Sequence, residues 1–133
     1  MIKRFIEVKF TKEGVHCYPA AATDPKLKTG DWDDVSFLGN PHFHYFHFVV
    51  AIEVFQNDRD IEFIQFSRWL QRMYASDTLQ LNSKSCEMLA EDLINEVIKS
   101  YPGRDMVVGV SEDGINGARL EYDSENRNHD HLG

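Results

Sequence analysis

His42-Phe43-His44-Tyr45-Phe46-His47-Phe48-Val49-Val50-Ala51-Ile52-Glu53-Val54-Phe55 is the stretch whose reading decides the fold. Its β-branched and aromatic residues are those that fit a pleated surface, so it is predicted to be a strand. Both parities are largely apolar, which predicts a central strand covered on both faces. Gln56-Asn57-Asp58 then reads as a turn. On the N-terminal side, Ile2 to Tyr18 holds a second strand. There Ile6, Val8 and Phe10 alternate with Glu7, Lys9 and Thr11, the period of a chain with one buried face. Gly14 marks a bulge or a bend in it. Between the two strands, Pro19, Pro25, Gly30, Gly39 and Pro41 break any regular pattern over 19–41. A connection of that length in a compact domain is usually functional or mobile.

On the C-terminal side the period changes. Phe63, Phe66, Leu70 and Met73 recur at three and four residues, predicting a helix over 60–74. Leu89, Leu93 and Val97, flanked by Cys86, Ala90 and Ile94, predict another over 83–100. Asn82, Ser83 and Ser85 are its candidate N-caps, and Pro102-Gly103 ends it. Met106 to Val110 and Gly117 to Tyr122 read as two strands joined by a short hairpin link. The order β-β-α-α-β-β predicts an α+β domain over residues 1–123, an antiparallel sheet with both helices on one face. The other face of the central strand then calls for a second cover, which oligomerisation into a barrel supplies. Residues 124–133 are polar and charged and are expected to fray.

The 133 residues amount to one domain, with a formal net charge of -8. An acidic surface repels phosphate backbones, so nucleic acid and anionic membrane are poor partners, while a local pocket can still take a small anionic ligand. Cys17 and Cys86 fall in different elements and no CxxC pair exists, which removes redox motifs and cysteine zinc clusters. No stretch has the layout of a signal peptide or a membrane span, so a soluble cytoplasmic setting is the default expectation.

The histidines carry the chemistry. Strand alternation puts His42 and His44 on one face, near enough to share a metal ion, and turns His47 to the other. A catalytic zinc site takes three protein ligands and keeps a fourth position open. His16, near the end of the first strand, is the natural third ligand if the two strands pair. The alternative for such a pair is a set of surface or hydrogen-bonded histidines. The apolar neighbours Phe43, Phe46 and Phe48 weigh against that, since buried imidazoles need partners. His129 and His131 are expected to be solvated.

Several short segments in order then resemble one family. Phe10 to His16 with Cys17-Tyr18-Pro19 resembles its opening F-x-F-x-A-A-H-R-L strand, and His42-Phe43-His44-Tyr45-Phe46 its H-G-H metal motif. Glu62-Phe63 stands where that family has D-F. Asp77-Thr78 with Leu81-Asn82 resembles D-H-x-x-L-N, Ser85 to Ala90 resembles P-T-x-E-x-L-A, and Val110-Ser111-Glu112 resembles v-x-E-T. Tyr122 matches the closing tyrosine. Over about residues 5 to 122 the chain resembles the 6-pyruvoyl-tetrahydropterin synthase and 6-carboxy-tetrahydropterin synthase (QueD) family. The resemblance implies a T-fold whose subunits assemble around a tunnel, a hexamer being the first expectation. It implies zinc on His16, His42 and His44, and a pterin- or purine-like ligand. It implies Glu112 as the carboxylate that anchors the heterocycle, Ser85 as a substrate contact and Asp77 as a catalytic group.

The chain also departs from that pattern. The position of the family's catalytic cysteine, counted back from His42, holds Leu38, with Ser36, Phe37, Gly39 and Asn40 around it. Asp33 and Asp34 could substitute only if the loop folds in, and alternation points Cys17 away from the metal. Thr78 replaces the histidine of the Asp-His pair and cannot serve as a general acid or base near neutral pH. Three functions are therefore compatible with the sequence: a zinc-dependent enzyme on a pterin- or purine-like molecule, a non-catalytic binder of such a ligand, and a metal-free oligomeric scaffold.

Overall fold

A computed structural model describes residues 1–124. Five strands and two α-helices form one α+β unit: β1 (Arg4–His16), β2 (His42–Val54), α1 (Phe63–Gln71), β3 (Leu79–Asn82), α2 (Cys86–Ser100), β4 (Met106–Glu112) and β5 (Asn116–Tyr122). The sheet order is β3-β1-β2-β4-β5. β1, β2, β4 and β5 are antiparallel neighbours, as their alternation predicts. β3 corrects the expectation of a four-stranded, wholly antiparallel sheet, because it lies parallel to β1 and makes the sheet mixed. Its four residues, with Leu79 and Leu81 buried and Gln80 and Asn82 exposed, alternate too briefly to stand out from a loop.

The register puts even-numbered residues of β1, β2 and β4 on a common face, with Phe10 opposite Phe48 and Phe48 opposite Val110. That face is closed by both helices, α1 against β1 and α2 against β4 and β5. Phe46, Phe48, Val50, Ile52, Phe66, Leu70, Leu93 and Val97 are almost solvent-free in the resulting core. Burial of such side chains, at about 1.5–3 kcal/mol each, is the main force holding the layers together. Glu62 caps α1 by accepting from the Ile64 and Gln65 N–H groups, and Ser85 caps α2 by accepting from Met88 N–H. The stripe on α2 is buried as its spacing predicts. On α1 only Phe66 and Leu70 are buried; Phe63, at the first position of the helix, is exposed, and so is Met73, which lies beyond its end.

Among the described residues much of the odd face lies open. Phe43 and Tyr45 are nearly half exposed there, the face for which the sequence called for a second cover from outside the chain. The connection 19–41 is not structureless. It contains 3-10 turns at Pro19–Ala22 and Ser36–Gly39, and Ala21 is fully buried. Gly14 sits where β1 passes closest to the core. A Cβ there would lie 2.7 Å from Leu81 Cδ1 and 2.9 Å from the Phe46 ring, so only glycine fits without repacking. β1 pairs with β2 without a break through Gly14; the β1–β3 register does shift between Val15 and His16, but the extra residue is Leu81, on β3. Ser124 donates its N–H to Asp105 at 2.8 Å. The rest of the polar tail, with His129 and His131, lies outside the described residues.

Candidate metal centre

At one end of the helix-covered face the two long strands bring three histidines together. His16 and His42 are directly opposite in the β1–β2 ladder, and His44 is two residues along on the same side. Their ring centroids are 4.6 Å (16–42), 5.5 Å (16–44) and 5.0 Å (42–44) apart, and the rings stand nearly perpendicular at 70°, 85° and 78°. One ligand nitrogen from each lies within 4.8 Å of the others. Phe46 meets His16 and His44 edge-on and forms the apolar floor. His47 has the opposite parity and meets Thr11 Oγ1 on the open face, at 3.3 Å from Nδ1.

Second partners fix the orientation of each ring. His16 Nδ1 meets the Lys84 carbonyl at 2.8 Å, His42 Nδ1 the Asn40 carbonyl at 2.8 Å, and His44 Nδ1 the Asp113 carboxylate at 2.7 Å. All three partners are acceptors, so in each neutral ring the proton resides on Nδ1 and the Nε2 lone pair is left for a ligand. This is the outer-sphere arrangement usual around metal-bound histidines. His16 Nε2 and His44 Nε2 are buried and have no hydrogen-bond partner. Each such orphan costs about 1–3 kcal/mol unless something binds it. Donor set and orphaned nitrogens together fit a divalent cation. Tetrahedral Zn–N bonds of about 2.1 Å separate ligand nitrogens by roughly 3.4 Å, so closure asks for ring movements on the order of 1 Å.

Two adjacent carboxylates belong to the same site. Glu112 ends β4, with Oε1 3.2 Å from His16 Nε2 and Oε2 3.3 Å from His44 Nε2. Asp113 follows with a left-handed backbone (φ 56°), which swings its carboxylate to the Tyr45 N–H at 2.9 Å and to His44. The Tyr45 N–H and the His44 ring hold the Asp113 carboxyl below the usual carboxylate range. Asp113, Lys84 and Asn40 are the site groups that sequence reasoning missed. Two of them act through backbone carbonyls, and Asp113 reads in sequence as an ordinary turn residue before glycine.

The triad opens onto a cavity of about 510 Å³ between the strand ends and the start of α2, walled by His16, His42, Glu112, Ser85, Glu87 and Asn116 among others. Ser85 therefore stands at the cavity, as the cap of α2. Cys17 lines it as well and is not among the clustered ligand groups. Cys86 is on the same wall, and burial pushes its thiol up to about 11. The other candidate acids are elsewhere. Asp77 is exposed in the turn before β3 and is not on the cavity wall. Asp33 accepts from the Thr29 hydroxyl, and Asp34 from the Gly30 and Ser36 N–H groups and the Ser36 hydroxyl, so both are engaged in folding their own loop. Leu38, at the position of the absent cysteine, lines the cavity.

No protein-family model matches this chain and no curated protein matches it, so its function has to be read from the site itself.

Proposed function

We propose that this protein is a zinc-dependent enzyme acting on a small pterin- or purine-like molecule held in the cavity beside His16, His42 and His44. The observation that carries the reading is the pair of buried, partnerless Nε2 atoms in rings whose Nδ1 atoms are all committed to acceptors. Zinc on three imidazoles would supply Lewis acidity toward a hydroxyl or carbonyl oxygen. The chain's own contribution is a concave wall with few, well-placed polar groups. The Ser85 hydroxyl accepts from Met88 and keeps its own proton to donate, Asn116 offers an amide, and Glu87 is a wall carboxylate clear of the histidines. Glu87 is the group placed to move a proton. Asp77 enters this reading only if it is brought to the cavity by a rearrangement or by another copy of the chain.

The T-fold assembly fits the same reading. The open odd face of β2 and the two sheet edges are where copies of the chain would meet in a tunnel-like oligomer, with a hexamer as the first expectation; light scattering in solution tests the subunit number. Among the described residues no helix is long and apolar enough to cross a membrane.

A second reading, a binder without turnover, draws on the state of the candidate bases other than Glu87. The Cys86 thiol, at about 11, stays protonated at neutral pH, and Asp33 and Asp34 are occupied in their loop. Metal analysis of the purified protein, followed by thermal shift with pterins, guanine and 7-deazaguanine derivatives, tests what the two readings share. A ligand selective for the folded state raises the melting temperature. Turnover of dihydroneopterin triphosphate or a related pterin, followed by mass spectrometry, separates enzyme from binder. Protein that carries no stoichiometric metal and responds to none of these ligands would leave the scaffold reading.

A further inference from the structure

We infer that Glu112 is a fourth ligand of the same ion, so that the resting centre is a three-histidine, one-carboxylate site. The inference rests on the metal reading above and departs from the role of ring anchor that the resemblance implies for Glu112. With protons on Nδ1, His16 Nε2 and His44 Nε2 present lone pairs, and what faces them at 3.2 and 3.3 Å are the two oxygens of one carboxylate. Acceptor facing acceptor at that distance is repulsive unless a cation lies between them. A proton is the first possibility, but neither contact has hydrogen-bond geometry, and both nitrogens are left unbonded. A shared metal ion is the second. Ligand atoms at about 2.1 Å from one ion at near-tetrahedral angles are separated by roughly 3.2–3.4 Å. Each contact has that spacing through a different oxygen, so the carboxylate either chelates the ion or rotates to offer it one oxygen.

The backbone makes the arrangement specific. Glu112 pairs with Phe46 on one side and Asn116 on the other, which fixes its direction toward the helix-covered face. The left-handed turn at Asp113 sends the next carboxylate to the opposite nitrogen of the same ring. His44 is thereby held between two consecutive acidic residues, one orienting it and one sharing its ion. A carboxylate ligand lowers the net charge of the centre, makes it a milder Lewis acid, and widens its tolerance toward harder ions such as Mn²⁺. Recognition of a ring edge then falls to Ser85, Glu87 and Asn116 on the wall.

Cobalt(II), whose visible absorption reports coordination number and ligand type, is the probe. Chelator-stripped wild type, Glu112→Gln, Glu112→Ala and His47→Ala are each titrated with cobalt(II) in competition with a colorimetric chelator. The expected result is one ion per chain for wild type and His47→Ala with matching spectra. Both Glu112 variants lose affinity by more than about 100-fold, the upper end of what outer-sphere changes cost. Their spectra become weaker as water replaces the carboxylate, while the melting temperature of the stripped proteins stays level or rises. Glu112 variants that keep wild-type affinity and an identical spectrum overturn the inference and leave the three-histidine centre standing. A wild-type chain that takes up no cobalt overturns the metal centre and this inference with it.

Discussion

β2 carries polar side chains at both of its ends, Glu53 on the odd face and the histidines on the helix-covered face, and the two ends are handled in opposite ways. At the C-terminal end Glu53 and Asp105 are nearly solvent-free, and their groups are matched. The Glu53 N–H donates to the Asp105 carbonyl, and Asp105 N–H to Glu53 Oε1. Arg104 donates to the Glu53 carbonyl and to Asp60 Oδ2 while stacking over Phe55, and Lys3 pairs with Asp105. At the N-terminal end the histidines have one nitrogen held and the other left over. A buried polar network whose groups answer one another specifies a fold. A cluster in which the leftover atoms converge is instead destabilised until something binds it. The contrast, more than the presence of histidine, separates site from scaffold in this molecule.

The largest effect that would sharpen the contrast is Glu53→Ala. It strands the Asp105 N–H in a dry interior and removes a packed side chain, so it should cost about 2–4 kcal/mol in denaturant unfolding while leaving metal uptake per folded chain intact. Loss of metal affinity in that variant would show that the two ends are coupled. Next comes His42→Ala, expected to abolish stoichiometric metal binding with less than about 1 kcal/mol of change in the stripped protein, because the ring is half-buried and part of a cluster that is strained when empty. His47→Ala should retain the metal; equal loss from both would undo the facing of the strand.

Smaller is Asp113→Asn, which keeps the shape but weakens the acceptor for His44 Nδ1; metal affinity should fall by ~10–100-fold. The same carboxyl gives the smallest effect, a pH dependence. Its value in the folded state is depressed, so its contribution is present above the ordinary carboxylate value of about 3.9 and is lost as pH falls through the lower folded value. Amide exchange of the β4–β5 turn should therefore become faster only in strong acid, and Asp113→Asn should remove that step. An unchanged step would assign it to another carboxylate.

Much of this arrangement was legible in the residue pattern. Alternation in β1 and β2 was enough to set His42 and His44 together, to turn His47 away, and to propose His16 across the ladder, because parity is a property of the backbone and holds wherever the strand is regular. Four-residue β3 was hidden because its alternation is too brief to rise above chance, and a parallel partner is announced by no turn. The remaining gaps are of another kind. Backbone carbonyls such as those of Asn40 and Lys84 have no signature in side-chain identity, and the reach of Asp113 depends on a left-handed turn that Asp-Gly permits but does not specify.

The Lys84 carbonyl that holds His16 Nδ1 belongs to the turn just before the Ser85 cap, on the wall of the cavity. A shift of that wall would change the bond that makes the imidazole electron-rich. With the proposed ion bound, one peptide unit would join cavity wall and ligand, so a molecule entering the cavity would retune that ion without touching it.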